Sequence, residues 1–141
     1  DLDEEIEKRE QMTVAEIFRQ KGEEAFRKME RHALETYMQL DDFIMSCGGG
    51  TPCFHNNMRL MNQKGVTIFL DSTVEELSER LRFEKESRPL LQGVADEVLG
   101  TFITEKLNQR KPCYAAAMYH LPTRFLTNEN FERIIRRHEK K

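Results

Sequence analysis

An apolar run passes directly into three consecutive glycines in Phe43-Ile44-Met45-Ser46-Cys47-Gly48-Gly49-Gly50-Thr51-Pro52. Runs this short, and apolar on both faces, are typical of buried parallel strands. Three glycines at the carboxyl end of such a strand let the backbone approach a ligand closely, and their N–H groups can bind an anion or a hydroxyl group. A tight turn from strand to helix explains the same glycines equally well.

A second apolar run of the same kind covers residues 66–70 and ends before Asp71. Residues 52–64 between the two runs can form a helix, and Ser72 with Glu75 forms a capping box that begins another helix, which extends to about Phe83. A third short strand is predicted near residues 119–121. This alternation of strands and helices predicts an α/β domain with a parallel sheet.

The two ends of the chain have helical patterns. Thr13 and Glu16 form a capping box, Gly22 ends that helix, and apolar residues at spacings of three and four predict a longer helix from Glu23 to about Leu40. The last segment is an amphipathic helix that carries Phe131, Ile134 and Ile135. The polar segment 84–100 predicts a mobile loop.

Length and composition narrow the function classes. A chain of 141 residues and 16.7 kDa has room for one domain, predicted over residues 1–141. A net charge of -3 lacks the basic surplus of a nucleic-acid-binding protein, and no apolar stretch is long enough to span a membrane. We expect a cytoplasmic protein whose three cysteines, Cys47, Cys53 and Cys113, are reduced thiols, because they have neither disulfide-framework nor zinc-site spacing.

A few charged residues could carry chemistry. Asp1 and Asp3 would share one face of an extended segment, which suits a metal-bound water or hydroxyl groups, although acidic residues before a helix explain them too. Arg27 and Glu30 lie on one helix face. Arginine suits carboxylates and phosphates because its N–H donors form a planar fork. Arg88 and Arg110 are therefore further candidates, although each, taken alone, is more readily explained as an exposed surface arginine.

Two catalytic motifs are absent from the 141 residues. No G-x-x-x-x-G-K-[ST] phosphate loop occurs, and no G-x-S-x-G nucleophile elbow occurs. Nucleophilic hydrolysis is therefore not supported.

Taken in order, these features resemble shikimate kinase over essentially the whole chain. The resemblance rests on five motifs at appropriate spacing: Asp1-Leu2-Asp3; the helical signature Val14 to Phe18 with Gly22 to Glu30; Gly48-Gly49-Gly50; Arg88-Pro89-Leu90-Leu91; and Arg110-Lys111-Pro112-Cys113-Tyr114. Five motifs in order are far more specific than any one of them.

The resemblance implies a role for each residue. Asp3 would bind shikimate hydroxyl groups and help to deprotonate the attacking 3-hydroxyl, and Asp1 would lie in the Mg²⁺ shell. Arg27 and Arg110 would clamp the substrate carboxylate, with Glu30 orienting Arg27. The backbone of Gly48, Gly49 and Gly50 would hold the ring hydroxyls. Arg88 would close over the ATP phosphates, and Arg80 or Arg82, of which we favour Arg82, would lie near the adenine.

The resemblance also implies a fold and an activity. The fold would be a three-layer α/β/α, nucleoside-monophosphate-kinase-like P-loop fold with a substrate-binding region at about 1–40 and 46–54 and a lid at about 84–100. The activity would be ATP- and Mg²⁺-dependent phosphorylation of shikimate to shikimate 3-phosphate in aromatic amino acid biosynthesis, by a monomer. In the family the phosphate loop precedes the D-x-D motif, so we expect an N-terminally incomplete kinase that is inactive alone.

Two other functions fit the same residues. One is a non-catalytic shikimate-binding or regulatory module that retains the substrate pocket. The other is a related small-molecule kinase that acts on another hydroxylated acid such as gluconate. Arg27 and Arg110 together with the three glycines favour shikimate.

Overall fold

The computed structural model describes residues 1–85 and 88–139. Seven α-helices and two β-strands lie within these residues. They are α1 (Leu2–Glu10), α2 (Val14–Lys21), α3 (Glu23–Tyr37), α4 (Asn57–Lys64), β1 (Ile68–Asp71), α5 (Val74–Arg82), α6 (Asp96–Tyr114), β2 (Tyr119–Pro122) and α7 (Asn128–Glu139). Short 3₁₀ turns cover Thr51–Cys53, Pro89–Leu91 and Thr123–Phe125.

The strands form a two-stranded parallel sheet. Ile68 pairs with Tyr119 and Asp71 with Pro122, and the connection between the strands runs through α5 and α6. A parallel pair needs such a long crossover because its strands begin at the same end of the sheet. The predicted α/β class, the parallel sheet and the two later strands are confirmed.

The boundaries of the helices follow local chemistry. The capping box of Thr13 and Glu16 is confirmed, and Gly22 ends α2 with a φ of 83°, a conformation that favours glycine. The predicted cap of α5 at Ser72 is wrong, because Thr73 and Glu76 form that capping box. Both pairs have the same S/T-x-x-E spacing, so the sequence does not distinguish them.

The first predicted strand is not formed. Residues 43–45 have no regular structure, and Ile44 is 83 % exposed. A strand is stabilised by hydrogen bonds to a neighbouring strand, and the described residues provide none for this segment. Its end is nevertheless fixed, because the backbone N–H of Leu2 donates to the carbonyl of Ser46 at 2.9 Å.

The predictions for residues 52–64 and for residues 84–100 are both corrected in part. Residues 52–64 do not form one helix, because a 3₁₀ turn ends at Cys53 and α4 begins only at Asn57. The predicted loop 84–100 contains a 3₁₀ turn and the start of α6. Leu91 and Leu99 are buried there with Ile103, and this apolar contact with α5 and α6 orders much of the segment.

The hydrophobic core consists of two clusters. The larger cluster joins α1, α2 and α3, and its fully enclosed members are Leu2, Ile6, Ile17, Phe26, Ala33 and Leu34. The smaller cluster lies between α5 and α6. The larger cluster fixes the three helices that carry the aspartates and Arg27, so these candidate residues stand on packed elements.

The cysteine prediction is wrong for two of the three residues. Cys53 and Cys113 form a disulfide across 60 residues of sequence, with their Cα atoms 5.4 Å apart, and Cys47 is free. The bond joins the 3₁₀ turn after the three glycines to the end of α6. Their spacing in sequence gives no signal of this contact, because it depends on tertiary packing.

No helix in the described part of the chain is both long enough and apolar enough to cross a membrane.

Removing buried volume from the larger cluster should destabilise the fold. Leu34 is fully buried on α3, whereas Leu40, just beyond the same helix, is 55 % exposed. We expect Leu34→Ala to lower the free energy of unfolding by about 2–5 kcal/mol in urea titrations. Leu40→Ala, the matched control, should change it by no more than about 0.5 kcal/mol. Equal losses for both variants would contradict this assignment of the core.

Candidate active site

Arg27 lies at the centre of the candidate site and is almost completely buried. Its Nη1 donates to Glu30 Oε2 at 2.7 Å, and its Nη2 and Nε donate to Glu23 Oε1 at 2.8 and 3.2 Å. These residues are three and four positions apart, so α3 alone places them side by side. Burial lowers the pKa of Arg27, but the hydrogen bonds and charges of Glu30 and Glu23 outweigh it and leave the pKa raised. The predicted pairing of Arg27 with Glu30 is present.

Aromatic rings enclose the same guanidinium. The Arg27 Cζ lies 4.4 Å from the ring centroid of Phe54, 5.5 Å from that of Phe26 and 5.8 Å from that of Phe18. A cation over an aromatic face is attracted by the ring electrons, most strongly where water is excluded. The rings and the two carboxylates therefore fix the orientation of the guanidinium.

The three glycines let the backbone lie directly against the arginines. A β-carbon on Gly50 would stand 2.6 Å from Arg27 Nη1. One on Gly49 would stand 2.8 Å from the Tyr114 hydroxyl oxygen and 3.1 Å from Arg110 Nη1. Gly48 has ordinary contact distances, 3.5 Å to Asp3 Oδ2. The close approach therefore requires glycine at two of the three positions, and the loop joins Asp3, Arg27 and Arg110 in one place.

Buried polar side chains hold the glycine loop, and the sequence reasoning missed them. The hydroxyl of Tyr114 donates to the Gly49 carbonyl at 2.6 Å, and Thr51 Oγ1 donates to Glu30 Oε1 at 2.5 Å. Asn57 Nδ2 donates to the Thr51 carbonyl at 2.8 Å. Tyr114 belongs to the motif that begins at Arg110, and Thr51 follows the glycines directly. Their place within or beside a motif was therefore the only feature of the sequence that pointed to them.

The two N-terminal aspartates have different surroundings, and the predicted extended segment is wrong. Asp1 is the N-cap of α1: its Oδ1 accepts from the N–H groups of Asp3 and Glu4 at 2.9 and 3.4 Å, and its Oδ2 accepts from the Ser46 hydroxyl at 2.6 Å. A carboxylate is favoured at this helix end because N–H groups and the helix dipole point at it. This matches the alternative interpretation of an acidic stretch at a helix start.

Asp3 faces the site from the first turn of α1. Its Oδ1 is buried and has no hydrogen-bond partner among the described residues. Burial and then the charge of Glu30 raise the pKa of Asp3, while the charges of Arg88 and Arg27 lower it in part. A buried carboxylate oxygen without a donor is costly, so it is suited to receive one from a ligand.

Arg88 and Arg82, the two arginines expected to contact the nucleotide, have different surroundings. Arg88 pairs with Glu84 at 2.7 Å and is close enough for its charge to act on Asp3, and the 3₁₀ turn that follows Arg88 packs against α2. Arg82 is exposed on α5, 3.9 Å from the carboxylate of Asp96. The structure thus brings together Asp3, Glu30, the three glycines, Arg27 and Arg110, and the charge of Arg88 acts on Asp3. The ion pair of Arg82 is instead with Asp96.

Comparison with known proteins decides the family. The sequence model of the shikimate kinase family matches residues 1–139. The shikimate kinase of Parabacteroides distasonis is 46% identical over 117 residues, which are 83% of this chain and 68% of that protein. The chain belongs to the shikimate kinase family. Further curated shikimate kinases include that of Bacteroides thetaiotaomicron, 44% identical over 119 residues, which are 84% of this chain and 68% of that protein.

Solved structures of the family share the fold. The crystal structure of shikimate kinase from Bacteroides thetaiotaomicron superposes with a TM-score of 0.82 at 38% identity, over 99% of this chain and 80% of that one. Shikimate kinase from Acinetobacter baumannii, in complex with shikimate, gives a TM-score of 0.85 at 27% identity, over 100% and 79%. The chain is a shikimate kinase by family, with the α/β, nucleoside-monophosphate-kinase-like fold.

A methyl group at Gly50 should disturb the shikimate kinase site. Gly50→Ala places its β-carbon inside the contact distance of the Arg27 guanidinium, so loop or arginine must move. We expect the free energy of unfolding to fall by about 1–3 kcal/mol in urea titrations. The control Gly65→Ala has extended backbone and nothing within 4 Å of the new carbon, so its stability should stay within about 0.5 kcal/mol of the parent. A stable Gly50→Ala chain would contradict the close approach.

The charge of Asp3 should reduce stability at neutral pH. Its pKa in the folded chain lies above the ordinary 3.8, so the folded state binds the proton more tightly, and stability falls as pH rises from near 4 through the raised pKa. We expect Asp3→Asn to unfold at higher urea concentration than the parent at pH 7, with the difference shrinking below about pH 4. The control Asp41→Asn, at an exposed carboxylate, should show neither effect. A less stable Asp3→Asn chain at pH 7 would contradict the burial argument.

Proposed function

We propose that residues 1–141 form one shikimate kinase-like domain that binds shikimate at the glycine loop. Arg27 and Arg110 bind the carboxylate, while Asp3 and the backbone of residues 48–50 bind the ring hydroxyls. The observation that supports this most is the buried guanidinium of Arg27 lying against Gly50. A pre-oriented guanidinium loses little side-chain freedom on binding a carboxylate.

Both arginines can still offer N–H groups to a ligand. Arg27 uses three of the five N–H groups of a guanidinium on Glu23 and Glu30, which leaves one on each Nη. Arg110 takes part in no ion pair within the described ranges. Glu23 and Glu30 offset the charge of Arg27, so Arg110 supplies the net positive charge that attracts a carboxylate, and Arg27 supplies fixed geometry.

Asp3 is proposed to act on the hydroxyl that is phosphorylated. Its unpartnered oxygen can accept a hydrogen bond from the 3-hydroxyl of shikimate, and its raised pKa makes it a stronger base than an ordinary aspartate. The reaction then needs little more of the protein than positioning and charge stabilisation. Arg88 is the residue proposed to face the transferred phosphoryl group, because its charge already acts at Asp3.

The proposed nucleotide and Mg²⁺ sites involve Asp1, Arg82 and Arg88. Among the described residues, no three His, Cys, Asp or Glu side chains form a metal cluster, but Mg²⁺ is commonly held by one or two carboxylates with water and phosphates. Asp1 fits such a place through water, since its oxygens already accept three hydrogen bonds. Mg²⁺, when bound, neutralises charge on the phosphates of ATP. Arg82 near the adenine, a cytoplasmic location and a monomeric state stay predictions.

A substitution that keeps the charge of Arg27 but removes its planar guanidinium tests whether this side chain binds the carboxylate. Arg27→Lys keeps the positive charge but loses the planar arrangement of donors, so shikimate binding to the 141-residue chain should weaken roughly ten- to hundred-fold in calorimetry. Arg19→Lys is the matched control, because Arg19 is exposed on α2, and its Kd should stay within about two-fold of the parent.

Two outcomes would contradict the proposal. One is an Arg27→Lys chain that binds shikimate as tightly as the parent. The other is a parent chain that binds shikimate carboxamide, which has no negative charge, as tightly as shikimate. The first result would mean that the planar donors of Arg27 do not bind the carboxylate, and the second would mean that the pair of Arg27 and Arg110 does not recognise its negative charge.

A further inference from the structure

We propose that Thr51 is a positioning residue for shikimate binding, acting through Glu30 on Arg27. This inference rests on the proposed function above. It adds a residue outside the family motifs: Thr51 would control how many donors Arg27 keeps for the substrate.

The three side chains form a buried chain of contacts. Glu30 is 1 % exposed and uses its two oxygens separately, with Oε2 accepting from Arg27 Nη1 at 2.7 Å and Oε1 accepting from Thr51 Oγ1 at 2.5 Å. Thr51 is fully buried as well. Each oxygen of the carboxylate therefore has one donor, and Arg27 is held by a single-point contact with Glu30.

The Thr51 hydroxyl prevents a different arrangement of the ion pair. Arginine and carboxylate groups commonly pair through two parallel hydrogen bonds. Without the hydroxyl, Glu30 Oε1 would be a buried acceptor without a donor, which is costly. Arg27, which is already bonded to Oε2 of the same carboxylate, still has an N–H group on each Nη that it can donate. The carboxylate would rotate to take a second bond from Arg27, and that N–H group would be lost to the ligand.

Thr51 can act in this way because its backbone is fixed. Its N–H donates to the Gly48 carbonyl at 3.1 Å, and its carbonyl accepts from Asn57 Nδ2 at 2.8 Å. Asn57 is also fully buried. Thr51 therefore links the glycine loop to α3, and a change at its hydroxyl reaches Arg27 with the loop still anchored.

The test uses isosteric changes. Thr51→Val removes the hydroxyl and keeps the shape, and should weaken shikimate binding to the 141-residue chain roughly ten- to hundred-fold in calorimetry. Thr51→Ser restores the donor and should return the Kd to within about three-fold of the parent. Thr104→Val is the control: Thr104 donates only to the Gly100 carbonyl on α6, and its removal should leave the Kd unchanged.

A second ligand separates positioning from general loosening of the loop. An analogue of shikimate with a hydrogen atom in place of the carboxylate has no acceptor for Arg27, so Thr51→Val should weaken its binding far less than that of shikimate. Equal weakening of both ligands, or an unchanged Kd for shikimate, would overturn the inference. If Thr51→Val does not fold, Thr51→Ala removes the hydroxyl without adding bulk, and the same outcomes apply.

The unliganded chain provides a readout that does not depend on the proposed function. The guanidinium N–H signals of Arg27 in ¹⁵N NMR should shift in Thr51→Val and return in Thr51→Ser. Unchanged signals in Thr51→Val would overturn the inference. Shifted signals in a chain whose parent does not bind shikimate would support the link between Thr51 and Arg27 while the proposed function fails.

Discussion

The buried ion pair of Arg27 and Glu30 is the interaction on which the site depends. Removing two charges from water costs several kcal/mol per ion. A buried ion pair therefore often stabilises a fold no more than well-packed apolar side chains of the same size would. Here both ions are almost completely buried, and the aromatic rings of Phe18, Phe26 and Phe54 close around the guanidinium. What the pair provides is an arginine held in one orientation, and the role proposed for that arginine is to bind the substrate carboxylate.

Much of the surrounding structure follows from this arrangement. The Arg27 guanidinium lies so close to the loop that Gly50 cannot carry a side chain, and Tyr114 and Arg110 crowd Gly49 in the same way. The loop in turn needs Tyr114 and Asn57 to satisfy its carbonyls. The disulfide of Cys53 and Cys113 also joins the turn after the glycines to α6, the helix that carries Tyr114. The core of α1, α2 and α3 then places Asp3 beside the loop, with one buried oxygen left for a ligand.

Sequence reasoning succeeded where the deciding contacts are local. The caps at Thr13 and Gly22 and the shared helix face of Arg27 and Glu30 depend on residues within a few positions. It failed where partners are distant. The run at residues 43–45 has the pattern of a strand but no paired strand among the described residues. The aspartates lie at the start of a helix instead of on an extended segment. The hydrogen bond from Thr51 to Glu30 forms only because the fold packs the turn after the glycines against α3. The roles of the individual site residues remain proposals.

The central claim is that the fixed guanidinium of Arg27 and the glycine loop form a binding site for the shikimate carboxylate. A crystal structure of the chain with shikimate tests this most directly. The account predicts the carboxylate within hydrogen-bond distance of Arg27 and Arg110, a ring hydroxyl donating to Asp3 Oδ1, and Glu30 still bonded to both Arg27 and Thr51. Shikimate bound with its carboxylate away from both arginines would contradict it.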